Sequence, residues 1–87
     1  MTKGDYIFYA RIMPKMGLFE VEELIVRSIG DTWFTALNSK TKQSFLFSFS
    51  QEEKDYFFTR SPALEKVKLA QSTYGTVKLT KIKEEED

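Results

Sequence analysis

Tyr6-Ile7-Phe8-Tyr9-Ala10-Arg11-Ile12-Met13 is a strand by composition and apolar on both of its sides. Successive side chains of a strand point to opposite faces, so Tyr6, Phe8, Ala10 and Ile12 share one face and Ile7, Tyr9, Arg11 and Met13 the other. A strand with two largely apolar faces has to be covered on both. A single flat layer open to water on one side cannot satisfy it. Gly4-Asp5 precedes the run, and Pro14-Lys15-Met16-Gly17 ends it as a turn.

Downstream, Phe19-Glu20-Val21-Glu22 alternates apolar and acidic, with the carboxylates expected on the water side. The alternation slips at Glu22-Glu23 and resumes as Leu24-Ile25-Val26-Arg27-Ser28-Ile29, which predicts a β-bulge or a strong bend at the slip. Gly30-Asp31 is a turn into Thr32-Trp33-Phe34-Thr35-Ala36-Leu37, with Trp33, Thr35 and Leu37 on one side. After the polar stretch Asn38-Ser39-Lys40-Thr41-Lys42, Ser44-Phe45-Leu46-Phe47-Ser48-Phe49 carries an inward aromatic stripe of Phe45, Phe47 and Phe49. Leu46 lies opposite, between serines, on a mostly small and polar side. Ser50 to Lys54 breaks this strand, and Asp55-Tyr56-Phe57-Phe58-Thr59 is one more short one.

Ser61-Pro62 marks a helix start: serine is a favoured N-cap, and proline suits the first helical position, where no N–H is needed. The helix is expected over about 62–71, with Ala63, Leu64, Val67 and Ala70 as its apolar stripe and an end at Thr73 to Gly75. Thr76 to Ile82 alternates enough for a final edge strand or a loose extension, and Lys83 to Asp87 is a charged tail expected to be disordered. Short strands spaced about ten residues apart and closed by one helix predict a mainly β fold. Its expected form is a small antiparallel SH3-like half-open barrel of five to six strands over residues 1–82. A flat antiparallel meander with the helix across one face is the alternative.

Composition narrows the function. The 87 residues contain no cysteine and no histidine. This excludes disulfides, thiolate metal sites and the commonest general base and metal ligand at neutral pH. Catalysis by carboxylate, lysine or tyrosine would need a deep pocket that so short a chain has little room for. No catalytic residue, metal site or cofactor is therefore expected. The glycines occur singly and form no phosphate-binding loop, and no serine sits in a nucleophile elbow. The acidic groups Glu20, Glu22, Glu23 and Glu52, Glu53, Asp55 read as solvated surface.

Thirteen basic residues balance thirteen acidic ones, without the basic excess of a dedicated nucleic-acid binder. Nucleic acid is therefore possible as a partner but not favoured. No apolar run is long enough to span a membrane, and the N-terminus lacks the order of a secretion signal, so a cytoplasmic setting without membrane partners is expected. Aromatic residues make up 15% of the chain and read first as core filling, but the two-sided strands offer more apolar side chains than one small interior and one short helix can hide. The excess predicts an exposed aromatic–arginine patch for a partner, with Tyr9, Arg11, Arg27, Trp33 and Phe34 as candidates. The competing expectation is that Tyr74 to Ile82 covers this face.

The order Gly4-Asp5-Tyr6-Ile7-Phe8-Tyr9-Ala10-Arg11-Ile12, then Phe19-Glu20-Val21-Glu22-Glu23-Leu24 with Arg27, then Asp31-Thr32-Trp33-Phe34, is followed by Phe45-Leu46-Phe47 and Arg60 with Ala63-Leu64. In this order the chain resembles small uncharacterised proteins encoded by phages and prophages of Gram-positive bacteria. The resemblance covers about residues 4 to 71 and departs in the loop Leu37 to Ser44 and in the tail. It implies an accessory protein in a bacterial host cell that binds a host or phage protein, with counter-defence as the most concrete version. The alternatives are a single-stranded nucleic-acid-binding barrel, with Trp33 and Tyr9 stacking bases and Arg11 and Arg27 on phosphates, and a small-ligand binder with its pocket in a homo-oligomer interface.

Overall fold

A computed structural model describes residues 1–86, with side chains described as far as residue 74. The two-faced run forms the strand β1 (Tyr6–Met13). A 3-10 turn at Pro14–Met16 closes on Gly17, whose φ of 66° is the left-handed conformation glycine adopts without penalty. The chain returns as β2 (Leu18–Ile29), paired antiparallel with β1 from Met13↔Leu18 to Tyr6↔Ile25 without interruption. The C-terminal end of β2 pairs instead with β3 (Trp33–Leu37), which pairs with β4 (Ser44–Ser48). After a second 3-10 turn at Phe49–Gln51, the two-residue β5 (Tyr56–Phe57) adds to the other side of β1. The strand order is β4-β3-β2-β1-β5.

Five antiparallel strands thus form a curled half-barrel, as the strand spacing predicts. One twelve-residue strand makes the curl, because β2 gives its first part to β1 and its last part to β3. The expected irregularity in β2 is present but displaced. The register shifts between Val26 and Ser28, around Arg27, and runs unbroken through Glu22-Glu23. Glu22 merely imitates a slip. It faces the concave side with Leu24 and Val26 and is 7% exposed, so the expectation of a solvated Glu22 is corrected.

Both sides of β1 are covered. On the concave side Ile7 joins Leu24, Val26, Phe34, Ala36, Phe47 and Tyr56 in one buried cluster, with Tyr9, Phe45 and Phe49 packed against it. Phe34 is its centre: its ring stacks on Phe47 at 5.3 Å and meets Tyr56 edge-on at 4.9 Å. Such rings contribute about 2–3 kcal/mol each by burial, which is how a small core offsets chain entropy. On the convex side Ala10 and Phe57 pack under Ala63 and Val67, with Phe8, Ile12, Phe19 and Val21 around them.

Ala63 and Val67 belong to the helix α1 (Arg60–Glu86) and, four residues apart, lie on one face of it. Of the expected stripe, Ala70 is half-buried and Leu64 is exposed. The helix is longer than the sequence predicts. It does not stop at Thr73 to Gly75, and residues 76–82 are helical where an edge strand or extension was expected. A lone glycine weakens a helix by only about 1 kcal/mol, and no proline follows it here. Of the expected disordered tail, Lys83 to Glu86 lie within α1 and Asp87 lies outside the described residues.

Candidate functional site

Arg11 lies on β1 and faces the concave side at the end of the half-barrel where the aromatic packing stops. Its guanidinium donates to Glu22 Oε2 at 2.8 Å and to Gln43 Oε1 at 3.3 Å, and is 4.0 Å from Glu20 Oε1. The same group lies 5.4 Å from the centre of the Phe45 ring, in cation–π position. The other Glu22 oxygen accepts from Asn38 Nδ2 at 2.9 Å. The Asn38 side-chain oxygen in turn accepts from the backbone N–H of Lys40 and of Thr41. One buried carboxylate therefore ties β1, β2 and the 38–43 loop together. Every buried side-chain polar atom among the described residues has a partner.

This polar end fastens two strands and a loop. Its Glu22 carboxylate is held by two donors and its arginine by two hydrogen-bond acceptors. Beside it, Glu20, Glu23, Lys40 and Arg60 line an open groove of about 310 Å³ with both signs of charge. No cluster of acidic side chains able to hold a metal ion exists among the described residues. Next to Arg11 on this face, Tyr9 packs edge-on against Phe45 at 5.2 Å and Phe47 at 5.0 Å. Burial of its hydroxyl, which disfavours the phenolate, raises its pKa.

The outer face of the β3–β4 hairpin differs in kind. Across the ladder Trp33 faces Ser48, Thr35 faces Leu46 and Leu37 faces Ser44. Trp33 is 43% exposed and Leu46 70%, on a surface otherwise built of small hydroxyl side chains and the half-buried Leu37. They are diagonal neighbours, within reach of a large ring. Behind Thr35, the Ser28 and Thr35 hydroxyls are 2.5 Å apart and hydrogen-bonded. The indole is seated on Gly30, where a Cβ would lie 2.2 Å from the ring.

The five residues proposed from the sequence do not form one patch. Tyr9, Arg11 and Phe34 face the concave side, and Phe34, with no exposed surface, is a core residue rather than a contact residue. Trp33 faces outward, because adjacent residues of a strand point to opposite sides. Arg27 is exposed at the bulge. Of the C-terminal segment expected to cover the Tyr9–Arg11 face, only the Tyr74 side chain is described, and it lies elsewhere. Tyr74 packs at 6.4 Å from Phe19 on the convex side, and the side chains of residues 75–82 lie outside the described residues. Leu46 and Gly30 were missed. A single large apolar residue between two serines on a strand's outer side was the available signal.

Comparison with protein-family models, with curated proteins and with solved structures finds no match. No helix among the described residues is long and apolar enough to cross a membrane.

Proposed function

We propose that the chain is a non-enzymatic protein-binding module whose contact face is the outer side of the β3–β4 hairpin, centred on Trp33 and Leu46. The observation that carries this reading is the exposure of these two large side chains, diagonal neighbours on a face otherwise lined by Ser44, Ser48, Thr35 and the half-buried Leu37. Tryptophan in particular supplies much of the energy of protein interfaces, set among small neighbours that exclude water. Support for the absence of catalysis comes from a sequence without histidine or cysteine and from the full pairing of Glu22 and Arg11. The bacterial-host setting, and counter-defence as its most concrete form, rest on the sequence resemblance alone.

The nucleic-acid alternative loses two of its proposed contact residues, since Tyr9 is packed against phenylalanine rings and Arg11 is paired with Glu22. The test is affinity capture from a lysate of a Gram-positive host, comparing the natural chain with Trp33→Ala and Leu46→Ser. Both variants are expected to fold and to lose the same captured protein. Retention of every captured protein by both would show that the contact face lies elsewhere.

A further inference from the structure

The hydrogen bonds that flank the β3–β4 ladder fix which way the backbone of β4 points. The Asn38 N–H donates to the Gln43 carbonyl at 2.9 Å, and the Phe49 N–H donates to the Thr32 carbonyl at 3.1 Å. Bonded and non-bonded pairs alternate along an antiparallel ladder, so Ala36↔Phe45 and Phe34↔Phe47 are the bonded pairs between them. Ser44, Leu46 and Ser48 therefore aim their backbone groups away from β3. No strand among the described residues lies on that side. The Ser48 N–H is already taken by Gln51 Oε1 at 2.7 Å. No hydrogen bond from the described residues reaches the backbone N–H or C=O of Ser44 or Leu46.

Edge strands are ordinarily defended by lysine, proline, inward charges or shortness. The opposite edge, β5, has only two residues. Within Ser44–Ser48 there is no proline and no charge, and its middle residue is the exposed leucine. The charges stand outside it, basic before the strand and, apart from Lys54, acidic after it. Lys40 and Lys42 precede the strand, and Glu52 and Glu53 follow it. All four side chains are exposed, and none is in an ion pair among the described residues.

We infer that the β4 edge pairs antiparallel with the β4 edge of a second copy of this chain about a two-fold axis at Leu46. In that register the two Leu46 residues exchange both backbone hydrogen bonds, and each Ser44 N–H donates to the Ser48 carbonyl of the other copy. The charge pattern is self-complementary under the two-fold: each basic flank lies beside the other copy's acidic flank, whereas parallel pairing would set lysine beside lysine. The two leucine side chains meet on the outer face and join the two Trp33 surfaces into one strip. A five-residue edge buries much less than the ~1,600 Å² of a standard stable interface. The dimer is therefore a concentration-dependent equilibrium. The inference adds the β4 edge as a contact separate from the Trp33 surface, and it rests on the proposed function only in treating Leu46 as a contact residue.

Sedimentation equilibrium over a wide concentration range tests it, with the intact chain as its own probe. The natural chain is expected to pass from monomer to dimer. Leu46→Pro should be monomeric yet folded, because the N–H it removes is not used by β3 and proline is tolerated facing outward on an edge. Leu46→Lys serves the same purpose if the proline variant does not fold. Lys40→Glu with Lys42→Glu should weaken dimerisation about tenfold or more, and adding Glu52→Lys with Glu53→Lys should restore it. Trp33→Ala should dimerise as the natural chain does, so loss of captured host protein in that variant bears on the contact face and not on the edge. A natural chain that stays monomeric throughout overturns the pairing while leaving the contact face standing. A dimer indifferent to Leu46→Lys and to charge reversal overturns it too.

Discussion

The convex side of the sheet has two halves that were built differently. Over β1, β2 and β5, α1 seals a surface of Phe8, Ala10, Ile12, Phe19, Val21 and Phe57. Over β3 and β4 no helix among the described residues covers Thr35, Ser44 and Ser48, or the two large residues among them. The difference follows residue type. Strands with two apolar faces recruit a helix, and strands with one hydroxyl-lined face do not need one. Trp33 and Leu46 are out of keeping with their half, which is the ground for proposing them as contact residues.

Deleting the same kind of atom from each half should therefore give opposite results. Phe57→Ala removes a ring from beneath the helix and is expected to cost about 3–5 kcal/mol, a large part of the stability of a small domain. Leu46→Ala on the bare half should change stability by no more than about 0.5 kcal/mol. Denaturant titration of both variants checks the pair. Equal losses would mean that the two halves are equally buried in solution and that the contact-face reading is wrong.

The polar end gives an intermediate effect. Arg11→Ala leaves the Glu22 carboxylate with Asn38 as its remaining donor in a position 7% exposed, and is expected to cost roughly 2–4 kcal/mol. The double variant Arg11→Met with Glu22→Leu should recover most of that loss, because both charges leave together. If the double variant is no more stable than the single one, the network holds the 38–43 loop in a way that apolar packing cannot replace.

Much of this architecture was legible before the structure was known. The two apolar faces of Tyr6–Met13 required cover on both sides, and they have it. The stripe of Phe45, Phe47 and Phe49 announced an aromatic interior, and all three contribute to it. Glu22 was not legible, because the alternation rule sends a carboxylate to water and is silent about a partner eleven residues back. Arg11, a lone charge on an apolar face, was the available hint that such a partner existed. The end of the helix was obscured because Gly75 resembles a stop signal and is only a weak one. The proposed contact face was half legible. Trp33 and Phe34 are both aromatic, but the two-residue period of a strand assigns them to opposite sides.

The smallest expected effect concerns the seat of that tryptophan. Gly30 ends the β2–β3 hairpin, where its N–H donates to the Trp33 carbonyl at 2.8 Å. A Cβ there would lie 2.2–2.6 Å from atoms of the indole, closer than any side chain tolerates. Either the ring or the turn has to give. The indole is 43% exposed and has solvent to swing into, whereas the turn is held by a backbone hydrogen bond. Gly30→Ala should therefore displace the ring at a cost below about 1 kcal/mol, with a red-shifted tryptophan emission and an otherwise unchanged fold. Because Trp33 is the sole tryptophan, the emission reports on this residue alone. If partner capture falls in Gly30→Ala as it does in Trp33→Ala, binding depends on the orientation of the indole and not merely on its presence. If instead Gly30→Ala costs as much stability as Phe57→Ala, Trp33 belongs to the folding of the hairpin, and the bare half of the sheet is less bare than its exposure suggests.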